Sequence, residues 1–120
     1  TPRGLRTLSP DHPRYKGTLT GSPTDRDLAY HNGTVFPWLS LMFVCGWLSL
    51  HGQSGIGLAE EIYNHFEPVM FEAGLGSISE VYDGDPPHDA RGGISQAWSV
   101  AALIQIHELI DDYKLQNRKP

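Results

Sequence analysis

The chain has 120 residues, 39% hydrophobic and 19% charged, a composition that fits one small folded domain and excludes a disordered segment. A net charge of −5, with no basic cluster beyond Arg118-Lys119, argues against nucleic acid as a partner. No apolar stretch reaches the roughly 20 residues of a membrane span, and no charged start precedes an apolar run, so no membrane is expected and the cytoplasm is the default compartment.

Residues 1–29 are punctuated by Pro2, Gly4, Pro10, Pro13, Gly17, Gly21 and Pro23, with charges and hydroxyls between. That pattern predicts a loop-rich segment with no element longer than a turn. A first helix is predicted from Thr34 to Leu50, with Thr34 as its cap and Pro37 in the first turn. "VFPWLSLMFVCGWLSL" is apolar nearly all round, so this helix is expected to be covered on every side, with Cys45 a buried thiol.

Gly52 and Gly55 predict a turn, and a second helix follows from near Ile56, with Leu58, Ile62 and Phe66 facing inward. Pro68 breaks or bends it. A third helix is predicted from Ser95 to Leu115, its apolar stripe starting with Ile94, Ala97, Trp98 and Ala101. No strand pattern of convincing length is visible. The expected class is all-α, about three to four helices with long loops. Apolar surface this extensive on so few helices also predicts a missing partner, which the rest of a longer chain would supply.

Two islands carry the chemistry. "AYHNGTVFPWL" (29–39) precedes the first predicted helix, and "GSISEVYDGDPPHDARGG" (76–93) precedes the third. Packed side by side, they would meet at one end of the domain. Tyr30, Phe36, Trp38, Tyr82 and Trp98 offer flat apolar faces for a sugar ring. His31, Gln96, Asp83 and Asp85 offer directional hydrogen bonds to hydroxyls. Each has a plainer alternative: Trp38 and Trp98 as core, Asp83 and Asp85 as turn residues, His31 as a structural hydrogen bonder, Glu80 as a solvated or capping acid. The six histidines share no metal spacing, Pro87 interrupts a calcium-loop pattern begun by Asp83 and Asp85, and G-x-S-x-G is absent. No metal and no cofactor is expected.

In four blocks in order, "GLRTLSP" with "RYKG", "AYHNGTVFPWL", "GLGSISEVYDGDPPH" and "SQAWSV", the sequence resembles the C-terminal part of the amylo-α-1,6-glucosidases, the glucosidase domains of glycogen debranching enzymes. The resemblance implies the C-terminal portion of an (α/α)6 toroid: residues 1–29 a loop-rich segment, residues 30–120 the terminal helices of an incomplete domain. It implies an inverting glycosidase with two carboxyl groups, acting on branched α-glucan such as glycogen or limit dextrin. Glu80 matches the general base, while the matching acid lies upstream in the family and has no counterpart here. Tyr30, His31, Trp38, Tyr82, Asp83, Asp85, Gln96 and Trp98 are the expected substrate contacts. Phe36 stands where the family leads one to expect Trp. The alternatives are a non-catalytic carbohydrate-binding module, and a glucoamylase- or trehalase-like glycosidase.

Overall fold

Ser22-Pro23-Thr24-Asp25 starts the first helix. The Ser22 hydroxyl accepts from the Asp25 amide at 3.2 Å, and the Asp25 carboxylate accepts from the Ser22 amide at 3.1 Å. Pro23 sits where an N–H would lack a helical partner. In the computed structural model, which describes residues 1–116, this helix, α1, covers Pro23–Tyr30. It corrects the expectation that residues 1–29 hold nothing longer than a turn. The Arg118-Lys119 pair lies outside the described residues.

A larger correction concerns class. Four two-residue strands, β1 (Leu5–Arg6), β2 (Val35–Phe36), β3 (Val81–Tyr82) and β4 (Ala90–Arg91), form one antiparallel sheet in the order β1-β2-β3-β4. The register pairs Leu5 with Phe36, Val35 with Tyr82, and Tyr82 with Ala90. The all-α description, and with it the chain as a portion of an (α/α)6 toroid, is therefore overturned by a mixed helix-and-sheet structure. Strands this short carry no alternation to detect. Their hydrogen bonds come from segments remote in sequence, which local periodicity does not register.

The second helix, α2, runs Leu39–His51, so it starts later than Thr34. Thr34 is fully buried and its hydroxyl donates to the Tyr30 carbonyl at 2.6 Å instead of capping. A 3-10 turn at Gly52–Gly55 leads into α3, Ile56–Asn64, and a second at Pro68–Phe71 follows the break the proline imposes. The last helix, α4, covers Ala97–Gln116.

Leu41, Val44 and Leu48 of α2 pack with Ala59 of α3 and with Ala102, Ile106 and Ile110 of α4. The α4 residues recur every fourth position, which puts them on one face. Leu103, one position along, turns instead toward Val35, Phe66, Val69, Ile78 and Tyr82, so α4 joins the helical core to the sheet. Fully buried Leu48 and Ile106 stabilise the fold by about 1.5–3 kcal/mol each.

Covering on every side is not what α2 receives. Met42 is 54% and Leu50 83% exposed, and Cys45 is half-buried. The predicted start of the α4 stripe is also corrected: Ile94 and Trp98 are exposed, and the buried line begins at Ser99 and Ala102. Of the residues expected to face inward from α3 onward, Phe66 is buried and Leu58 and Ile62 are half-buried.

Candidate active site

The β2–β3 pairing brings the two polar islands together. Glu80 sits immediately before β3. Its amide donates to the Gly93 carbonyl at 2.8 Å, and the Gly93 amide donates back to Glu80 Oε2 at 2.9 Å. This reciprocal pair closes the open end of the β3–β4 hairpin and fixes the carboxylate against its base. Gly92 has φ +66°, and a Cβ there would lie 2.6 Å from Glu80 Oε2, so a side chain at this position would push the carboxylate aside.

The second oxygen is held from another element. Tyr30 ends α1, and its hydroxyl donates to Glu80 Oε1. Among the described residues no Lys, Arg or His forms an ion pair with Glu80. Both donors are neutral, so they orient the charge without cancelling it. Burial, then the hydrogen bond to Glu80, then its negative charge push the Tyr30 phenol up to about 12.

The Tyr30 ring meets His31 edge-on at 4.6 Å and Phe36 edge-on at 5.0 Å, while His31 and Phe36 stack at 5.4 Å. These are the favoured aromatic arrangements. The cluster lines a groove of about 600 Å³ together with residues of α2 and α4, and Trp38 and Trp98 also line it. Both indoles are exposed, at 38% and 50%. A pyranose ring can lay an apolar C–H face against such walls, with Gln105 as an amide partner for its hydroxyls.

The family model described as amylo-alpha-1,6-glucosidase matches residues 1–105. The chain belongs to the amylo-α-1,6-glucosidase family. No curated protein and no solved structure matches it. Membership makes these residues part of a glycosidase-type enzyme of the glycogen-debranching kind, and the matched span contains Glu80, Tyr30 and the groove-facing half of α4.

In this family member, four of the nine residues assigned a site role from sequence line the groove, namely Tyr30, His31, Trp38 and Trp98, and Glu80 is joined to it through the Tyr30 hydroxyl. The others serve the frame. Tyr82 is 1% exposed in the core, with its hydroxyl accepting from the Ser79 amide at 3.2 Å. Asp83 is 3% exposed and paired with Arg91. Asp85 accepts from the Tyr15 hydroxyl at 2.8 Å, over Gly17, where a Cβ would meet the carboxylate at 2.4 Å. Gln96 Oε1 accepts from the Ala97 amide at 3.1 Å, at the start of α4.

Sequence reasoning passed over Gly92, Arg91, Met42 and Gln105. Trp98, Ala101, Ala102 and Gln105 stand at i, i+3, i+4 and i+7, so the helical face that lines the groove was open to detection. The Gly92-Gly93 doublet was the other available signal. Among the described residues no group of three or more His, Cys, Asp or Glu side chains is placed to hold a metal, and no helix is long and apolar enough to cross a membrane.

Proposed function

We propose that this chain supplies the base side of a hydrolytic site that cleaves α-1,6-glucosidic branch linkages in glycogen or limit dextrin. Inverting hydrolysis uses an acid that protonates the departing glycosidic oxygen and a base that takes a proton from water on the opposite face, roughly 6.5–9.5 Å apart. Glu80 is the base. Water gives its proton to the Glu80 carboxylate as its oxygen bonds to the anomeric carbon, and the bond to the branch-point oxygen breaks.

The observation that carries this reading is the Tyr30–Glu80 hydrogen bond, which ties a carboxylate to the wall of an aromatic groove. A tyrosine hydroxyl and a backbone amide occupy one site on each oxygen, and a carboxylate has further acceptor sites for water. Trp38 and Trp98 stack on the apolar faces of glucose units. Asp83 and Asp85 are not offered as the acid, because Arg91 and Tyr15 engage them. The acid belongs to the rest of a longer enzyme, and glycogen as substrate places the reaction in the cytoplasm.

The test is Glu80→Gln in the complete enzyme on a singly branched dextrin. Turnover falls by at least about 10²-fold with substrate affinity retained, and the wild-type enzyme first releases the β-anomer of glucose. Near-wild-type turnover in the variant rejects Glu80 as base, and first release of the α-anomer rejects inversion.

A further inference from the structure

We infer that Tyr30 is the positioning residue of the base: its hydroxyl on one carboxylate oxygen and the Gly93 amide on the other hold Glu80 in a single orientation relative to the groove. The inference rests on Glu80 being the base. It adds that Tyr30 acts through Glu80, beyond presenting a ring to the sugar.

Three features leave the Tyr30 hydroxyl little freedom. The backbone carbonyl of Tyr30 accepts from the buried Thr34 hydroxyl at 2.6 Å, which pins the end of α1. The ring is held edge-on by both His31 and Phe36. A tyrosine has only two side-chain torsions, so fixing backbone and ring also fixes the hydroxyl. On the opposite side, the missing Gly92 side chain lets the carboxylate approach the main chain closely enough to take the Gly93 amide. The two donors come from different parts of the fold, α1 and the residues after β4, so a rotation of the carboxylate breaks at least one bond.

The same phenol ring lines the groove. A sugar seated against it is thereby placed relative to the carboxylate that the hydroxyl holds. Misplacement by about 1 Å in a reacting geometry is worth on the order of 10²-fold in rate, which sets the scale of the expected effect.

The experiment compares Tyr30→Phe, Tyr30→Ala and Glu80→Gln in the complete enzyme, on a singly branched limit dextrin. Tyr30→Phe keeps the ring and deletes the donor, so kcat falls roughly 10- to 100-fold while KM stays within about two-fold. Tyr30→Ala lowers kcat similarly and also raises KM. If Glu80→Gln loses turnover but Tyr30→Phe keeps wild-type kcat, the positioning role is overturned and the base survives. If Glu80→Gln stays active, the base reading fails and this inference fails with it. A titration of ring-labelled tyrosines by NMR tests the contact without turnover: in Glu80→Ala one phenol must ionise at lower pH than in the wild type. A folded Glu80→Ala variant with an unchanged tyrosine titration overturns the proposal.

Discussion

Arg91 grips a single oxygen of Asp83 with two nitrogens, Nε at 3.0 Å and Nη2 at 2.7 Å, while the other oxygen accepts from the Leu19 amide at 2.8 Å. One carboxylate therefore ties the β3–β4 hairpin to the loop before α1. The Asp83 side chain is 4% exposed and that of Arg91 30%, so the pair is screened from water mainly on the acid side. Asp83→Ala removes the acceptor of the half-buried Leu19 amide and leaves Arg91 with only the more exposed Asp89, at 3.3 Å. The expected loss is about 1–3 kcal/mol, with Asp83→Asn losing less because an acceptor oxygen remains. Denaturant midpoints of the two variants check this, and a loss below about 0.5 kcal/mol in the alanine variant contradicts it.

Tyr30 gives a pH dependence with a definite sign. Its folded phenol titrates at about 12 against an ordinary 10.0, raised first by burial and then by Glu80. The fold therefore favours the protonated phenol. Its stabilising contribution is complete below pH 10 and is lost as pH rises toward about 12. Phenolate absorbance should show late-ionising tyrosines, and Glu80→Ala should bring one of them earlier. Tyr15 is raised in the same direction, by burial and then by its hydrogen bond to Asp85. The difference between wild type and Glu80→Ala therefore isolates Tyr30.

Gly92→Ala tests how tightly the carboxylate is cradled. The backbone there has φ +66°, and the added methyl would meet Glu80 Oε2 at 2.6 Å. Left-handed backbone costs a residue with a side chain roughly 1–2 kcal/mol. The variant should be destabilised by about that much, and the complete enzyme should also lose kcat as the carboxylate moves. A folded variant with unchanged kcat would show that the position of Glu80 tolerates displacement.

Trp98 and Tyr82 separate groove from frame. Trp98 is 50% exposed on the groove rim, so Trp98→Ala should raise KM about five-fold, the size of one aromatic contact near 1 kcal/mol, with little change in Tm. Tyr82 is in the core, so Tyr82→Ala should cost about 3–5 kcal/mol. Tyr82→Phe should leave KM unchanged and lose only about 1 kcal/mol, for the acceptor that Ser79 uses. Steady-state kinetics on a branched dextrin and thermal melts read the two effects independently.

Much of the helical frame was legible from residue order alone. The Gly52–Gly55 turn, the start of α3 at Ile56 and the break at Pro68 all follow from local backbone chemistry: glycine freedom, apolar spacing and a missing amide. Glu80, Tyr30, His31, Trp38 and Trp98 were visible as residue types suited to sugar chemistry before any fold was known. The Ser22–Asp25 capping box was equally visible and was overlooked.

Placement was a different matter. Whether an indole is core or rim, and whether an aspartate meets a sugar or an arginine, depends on what arrives from a distant part of the chain. Val35 pairs with Tyr82, Tyr30 reaches Glu80, and Arg91 and Leu19 together consume Asp83. None of these contacts leaves a local period, because hydrogen bonds across such separations form only after the loops have closed. Residue order specified which chemical groups were present and where helices could begin. Folding determined which carboxylate became part of the frame and which one faces the groove through a tyrosine, since burial and partner choice are properties of the closed chain.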